Sequence, residues 1–275
     1  MKKILVPSDF TSVSEIAIKY ASEIGQVLET DVYLLHIVKK ESEIVEAEAK
    51  LQKQASEHLT RTGLAVKCLV KVGNIFDDIP QVAKDEQAQL VVMGTHGLHG
   101  MQFIVGSNAL RVVTECPVPI IIVQEGITRP ANINKLLLPL DLHKETKQKL
   151  NIAADVASRF KSEVHIISPK ESDEFLHNRI QRNVSYSEGY LEERNIPYKT
   201  TITQAGSGGF VKELLTYATY AEIDLICILN NAEEQLIHAF GVDSEQKIIT
   251  NDSKIPVMII NPMATLVDSN SIFAQ

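Results

Sequence analysis

The chain has no tryptophan, only 5% aromatic residues and three cysteines among 275 residues, and its charge balance lacks any positive surplus. Each shortage excludes something. Cys68, Cys116 and Cys227 are odd in number and do not have the paired spacing of a zinc site, and Cys68 and Cys227 sit in apolar runs where a thiol packs as a small hydrophobe. Neither a disulfide framework nor a structural metal is expected. The formal net charge of -8 argues against a general nucleic-acid surface, because phosphate backbones are held by clustered Lys and Arg. No apolar run reaches the roughly 18 to 20 residues of a membrane span, and Met1-Lys2-Lys3 leads straight into a strand pattern. The expectation is a cytoplasmic protein with no membrane partner. A Walker sequence of glycine, four residues, glycine, lysine and Ser/Thr is also missing, and with it the lysine and magnesium-binding hydroxyl of that nucleotidase class.

What is present reads as alternating strands and helices. Lys3 to Val6 is a short β-branched run ended by Pro7-Ser8-Asp9, and Thr11 or Ser12 is placed to cap a helix whose apolar residues Ile16, Ala17, Tyr20, Ala21, Ile24 and Val27 recur at helical spacing. A strand over Val32 to Val38, a charged helix from about Ser42 to Thr60 stopped by Gly63, a strand over Val66 to Val72 and a helix from Gly73-Asn74 to about Glu86 follow. Then come the strand Leu90 to Met93, a helix Asn108 to Thr114 and a closing strand Ile120 to Val123. Alternation at this pitch requires crossover connections and a parallel sheet covered on both faces.

The pattern then repeats. Lys135-Leu136-Leu137-Leu138-Pro139-Leu140-Asp141 echoes Lys3 to Asp9, Glu163 to Ile167 echoes Tyr33 to Val38, and Asp224 to Leu229 echoes the run before Gly94. Lys254 to Ile260 echoes Val118 to Val123, so four landmarks recur in one order and the chain reads as an internal duplication. The expected domains are residues 1-127 and 133-263, with a polar tail over 264-275.

One stretch carries chemistry. Gly94-Thr95-His96-Gly97 follows a buried-type strand, and Gly106-Ser107-Asn108 opens the next helix. Glycines let the backbone approach a ligand closely, and free N–H groups with the helix dipole favour an anion, so the stretch suits a phosphate; ordinary turn glycines are the plainer reading. His96 and His99 have no third ligand nearby and make a weak metal site. Ser207-Gly208-Gly209 looks like a pyrophosphate loop but follows the third strand of its repeat rather than the first, so it reads as a helix start. His36 and His165 occupy matching strand positions and read as packed, hydrogen-bonded histidines; Asp9 and Asp141 read either as ligand contacts or as helix caps. The charged segment Glu41 to Lys53 reads as a solvated helix face.

Together Val6-Pro7-Ser8-Asp9, Gly94-Thr95-His96-Gly97, Gly106-Ser107 and Cys116-Pro117-Val118-Pro119-Ile120-Ile121-Ile122-Val123 resemble a universal stress protein domain. The likeness extends over nearly the whole chain as a tandem two-domain form. It implies two doubly wound five-stranded parallel sheets of order 3-2-1-4-5, of the adenine nucleotide alpha hydrolase-like class. It also implies a stress-response protein that holds ATP or AMP, with Mg as an optional companion of the phosphates, and pairs as a homodimer or within one chain. Carried over by position, Pro7 and Asp9 face adenine and ribose, Val38 offers backbone groups to the base, and Gly94, His96, Gly97, Gly106, Ser107 and Asn108 hold ribose and phosphates. Ser8 and Met93, beside them at the strand ends, complete the set. The family pattern places nine residues between its second and third glycines, whereas only Leu98 to Val105 separate Gly97 from Gly106.

The second copy reads Asn230-Asn231-Ala232-Glu233-Glu234 and Gly241-Val242-Asp243-Ser244 where the first has its glycines. A carboxylate roughly 6 Å from a phosphate opposes it by about 3 kcal/mol at an effective dielectric of 20, or about a hundredfold in affinity. One nucleotide per chain, in the first domain, is therefore expected. No residue stands out as a catalytic base, so the chain reads as no enzyme, with weak ATP hydrolysis as the upper bound. The alternative is a scaffold of the same fold that binds no nucleotide and acts through partner surfaces.

Overall fold

A computed structural model describes residues 3–95, 112–113, 115–127, 129–140, 146–230 and 242–261. The chain divides into two compact units, Met1–Ala131 and Asn132–Gln275.

In the first unit the order is β1 (Lys3–Pro7), α1 (Ser12–Leu28), β2 (Asp31–Val38), α2 (Ile44–Thr62), β3 (Lys67–Val72), α3 (Ile75–Asp85), β4 (Ala88–Thr95) and β5 (Ile120–Gln124). All pairings are parallel and the strands lie in the order β3-β2-β1-β4-β5. Ile4, Leu5 and Val6 are fully buried, as a continuous apolar run requires when helices cover both faces of its strand. By contrast β3 is half-exposed along its length, and Lys67 and Lys71 project from it, which blunts a sheet edge.

Local chemistry sets the helix ends. Thr11 is the N-cap of α1, its hydroxyl accepting from the Ser14 N–H, and Gly63 ends α2 in the left-handed region at φ 74° with its N–H on the Leu59 carbonyl. Val13, Ala17, Ile18, Tyr20, Ala21 and Ile24 form the buried stripe of α1, which packs on β1, β4 and β5, while α2 packs on β2 and β3. Right-handed crossovers put α1 and α2 on one face and α3 on the other.

The second unit repeats this plan with β6 (Lys135–Pro139), α4 (Thr146–Phe160), β7 (Glu163–Ser168), α5 (Glu174–Glu192), β8 (Tyr198–Ile202), α6 (Phe210–Tyr220), β9 (Leu225–Leu229), α7 (Val242–Ile249) and β10 (Val257–Ile260). Its strands lie in the order β8-β7-β6-β9-β10, again parallel throughout. A 3-10 turn over Ser207–Gly209 leads directly into α6, with Gly209 at the N-cap, so this glycine pair starts a helix.

Several boundaries shift by a residue or two from the sequence reading, and two of the shifts have a physical reason. β4 runs on through Gly94 and Thr95, which pair with Val123 and Gln124, because β5 supplies a partner for that length. α2 begins at Ile44 after a 3-10 turn over Glu41–Glu43, where the Glu43 carboxylate accepts from the Lys39 and Lys40 N–H groups. Most residues of α2 facing outward are charged or polar, as expected for a solvated face, with Val45 and Leu59 exposed among them.

Candidate functional site

The β1–β4 ladder runs from Lys3↔Ala88 to Leu5↔Val91 and stops, while β1 continues beside β2 to Pro7↔Leu35 and β4 beside β5 to Thr95↔Gln124. A crevice therefore opens between the carboxyl ends of β1 and β4. It lies where the chain order reverses, which is where an open α/β sheet presents a ligand site.

The β1 side of the crevice is a tightly tied loop. Asp9 is exposed, and its Oδ1 accepts from the Thr11 N–H at 3.1 Å and the Thr11 hydroxyl at 2.6 Å. Asp9 thus orients the residue that caps α1 rather than capping it directly. Phe10 sits at φ 66°, a left-handed conformation that is strained for an aromatic residue. Two contacts hold it there: its N–H donates to Ser8 Oγ at 3.2 Å, and its ring lies against the His36 imidazole, with centroids 4.4 Å apart. His36 Nδ1 is 2.7 Å from the Ser8 carbonyl, an acceptor, so Nδ1 carries the proton and the histidine is hydrogen-bonded as its strand position suggested.

Behind this loop lies a polar cluster that periodicity did not reveal. Gln54, on the buried face of α2 among Leu51, Ala55 and His58, is 6% exposed. Its Oε1 accepts from the Ser8 hydroxyl at 2.7 Å, and its Nε2 donates to Glu15 Oε1 at 2.6 Å and to Ser14 Oγ at 3.4 Å. Glu15 in turn receives Arg61 Nη2 at 2.5 Å. Gln54 thereby joins α2 to both ends of the β1–α1 loop. A glutamine on the buried stripe of Ala47, Leu51, Ala55 and His58 was the available signal.

On the other side Met93 and Gly94 are half-buried and Thr95 is buried. A Cβ built on Gly94 would stand 2.3 Å from Val13 Cγ1 and 2.5 Å from the Val13 carbonyl oxygen, so the absence of a side chain lets α1 pack against β4. Thr95 is 3% exposed, and among the described residues its Oγ1 has no hydrogen-bond partner. A buried hydroxyl without a partner is uncommon and calls for an explanation.

The structure thus puts Pro7, Ser8 and Asp9 on one lip and Met93 and Gly94 on the other. Pro7 is half-buried, whereas the Ser8 hydroxyl points inward to Gln54 and is not open to a ligand. Val38 is buried at the end of β2, with its carbonyl accepting from the Gly73 N–H at 2.8 Å. His96, Gly97, Gly106, Ser107 and Asn108 lie outside the described residues, as do His99, Asp141 and residues 231–241. In the second unit His165 is buried, with Nδ1 2.7 Å from the Tyr217 hydroxyl and Nε2 3.0 Å from Glu163. Burial pushes the Cys116 and Cys227 thiols up to about 12, which leaves both as packed hydrophobes without nucleophilic character. Among the described residues no group of three or more His, Cys, Asp and Glu is placed to hold a metal ion, and no helix is long and apolar enough to cross a membrane.

Residues 1–124 match the Universal stress protein family. The chain is similar to two universal stress proteins of Methanocaldococcus jannaschii, one 25% identical over 153 residues, spanning 45% of this chain and 94% of that protein. The other is 28% identical over 144 residues, spanning 45% and 82%. The crystal structure of a universal stress protein from Archaeoglobus fulgidus matches with a TM-score of 0.71 at 18% identity, covering 94% of this chain and 98% of that one, and supports the fold of both units.

Proposed function

We propose that this chain, whose residues 1–124 are a universal stress protein domain, holds an adenine nucleotide, ATP or AMP, at the carboxyl ends of β1 and β4 and acts as a stress-response regulator without efficient turnover. The observation that carries the reading is the buried Thr95 hydroxyl, without a partner among the described residues, at the end of β4 within the glycine stretch. A ligand oxygen in the crevice would satisfy it. Asp9, exposed on the opposite lip and fixed by Thr11, suits the ribose hydroxyls, and the Pro7 and Met93 side chains suit the flat apolar faces of a base. Gly94, His96, Gly97, Gly106, Ser107 and Asn108 would supply close backbone approach and N–H donors for ribose and phosphates, with Mg as their optional companion. The like-charge repulsion between Asp9 and a phosphate is avoided if the carboxylate meets sugar rather than phosphate. Turnover needs a positioned base, and among the described residues of the two lips the one titratable side chain, Asp9, is tied to Thr11.

A second reading, a scaffold that binds no nucleotide, is favoured by one observation: packing of Val13 on its own requires Gly94 to lack a side chain. Calorimetry with ATP, ADP and AMP separates the two. Binding to the wild type that is weakened at least tenfold in Asp9→Ala and in Gly97→Val supports the nucleotide site. Absence of binding to the wild type selects the scaffold.

A further inference from the structure

The second unit opens a crevice of its own. The β6–β9 ladder stops at Leu137↔Ile226, while β6 continues beside β7 to Pro139↔Ile167 and β9 beside β10 to Leu229↔Ile260. Its floor differs from that of the first unit. Lys149 stands as far along the chain from Pro139 as Ala17 does from Pro7; Ala17 is fully buried, and Lys149, at 3% exposure, is nearly so.

A helical side chain leans toward the helix N-terminus, and this carries Lys149 Nζ to the Pro139 carbonyl at the end of β6, to which it donates. The ammonium also lowers the pKa of Cys227 on the neighbouring strand β9, against the larger upward push of burial, so its charge is felt on both sides of the β6–β9 gap. Among the described residues the Pro139 carbonyl is the one hydrogen-bond partner of Nζ, and no carboxylate lies within ion-pair distance. An ammonium has three donors, so two are left over. A charge removed from water without an opposite charge is costly, and a buried lysine is ordinarily paired.

A second, independent group lies at the same end of the sheet. Ser168 closes β7 and is fully buried, and among the described residues its Oγ has no hydrogen-bond partner. Strand alternation puts Ser168 on the face of Val164 and Ile166, opposite His165, whose ring meets Tyr217 of α6. Right-handed crossovers place α4 on the face away from α6, and α4 packs on β6, β7 and β9. Ser168 Oγ and Lys149 therefore share a face and an end of the sheet.

We infer that the second unit holds a small oxyanion, a carboxylate as the match to one buried positive charge, between Lys149 and Ser168. The site takes the place of the nucleotide crevice of the first unit and uses a side-chain cation where the first unit has backbone donors. It does not depend on nucleotide binding in the first unit, and its test uses no nucleotide.

The test is thermal melting of the full-length protein, dialysed free of carboxylates and phosphate into chloride buffer, then titrated with sodium acetate or sodium phosphate at constant ionic strength. In chloride alone Lys149→Met is expected to melt several degrees above wild type, because the substitution removes a buried charge that has no ionic partner among the described residues and keeps the packing volume. Acetate is expected to raise the wild-type melting temperature saturably, to leave Lys149→Met unmoved, and to act on Ser168→Ala at least fivefold more weakly. A lower melting temperature for Lys149→Met in chloride, an equal response of wild type and variant, or no saturable response to acetate overturns the inference. Saturation by phosphate and not by acetate overturns the carboxylate assignment. Should Lys149→Met fail to fold, Ser168→Ala against wild type decides.

Discussion

Gly94 and Gln54 shape the two lips of the first crevice by opposite means, one through the lack of a side chain and the other through a side chain that bonds in three directions. A methyl group on Gly94 would collide with the Val13 carbonyl, part of the α1 backbone that cannot rotate away. Gly94→Ala is therefore expected to destabilise the protein by about 1–3 kcal/mol, the usual range for overpacking, read as a lower denaturant midpoint at unchanged slope. Gln54→Met keeps the volume but removes the closer acceptor of the buried Ser8 hydroxyl and leaves it Ser14 Oγ at 3.2 Å, an expected loss of about 1 kcal/mol. Hydrogen exchange should also rise at the Phe10 amide, whose strained conformation depends on Ser8. Slow exchange at Phe10 in the variant would show that the ring contact with His36 suffices.

Among the elements, the α1–α2 pair is one whose stability responds to pH. His58 is fully buried between these helices, and its Nε2 lies 3.0 Å from Ser22 Oγ and 3.3 Å from Thr62 Oγ1. Both hydroxyls give their protons to backbone carbonyls, Ser22 to Ile18 and Thr62 to His58, so Nε2 must be the donor and Nδ1 the bare nitrogen, buried without a partner. Burial first, and then the Arg61 charge, hold the pKa of His58 below its ordinary 6.5, with Glu15 opposing. Burial likewise lowers His165, against the pull of Glu163. The unfolded chain then binds protons that the folded one does not, so stability is complete above about pH 6.5 and is lost as the pH falls through that value toward the lowered ones. Melting temperatures measured from pH 7.5 to 5.0 should fall for the wild type and fall less for His58→Gln.

These same elements show what was legible in the sequence. Strands buried on both faces, such as Ile4 to Val6, and helices with stripes such as Ala17 to Ile24 announce themselves because burial imposes a period. The Thr11 cap, the Gly63 stop and the helix start at Ser207–Gly209 were legible because each rests on local backbone chemistry. Gln54, Lys149 and the left-handed Phe10 were not, because each is specified by a partner far along the chain or by a fold-level crevice that no local pattern records. The extension of β4 through Thr95 belongs with them, since it depends on the length of β5.

At the scale of the whole molecule, one plan is written twice and its two crevices are furnished differently. The first has glycines and an unpartnered threonine, the second a buried lysine and an unpartnered serine, with Asn230 where the first unit has the opening of its glycine stretch. Duplication preserves the sheet because the core depends on it, while the loops at the carboxyl ends can diverge without disturbing packing. The central claim is that this divergence leaves one nucleotide site per chain, in the first unit. Calorimetric titration of the full-length protein with ATP and with AMP tests it most directly: one site per chain, lost on Asp9→Ala, is the expected result, and two equivalent sites per chain, or none, would contradict it.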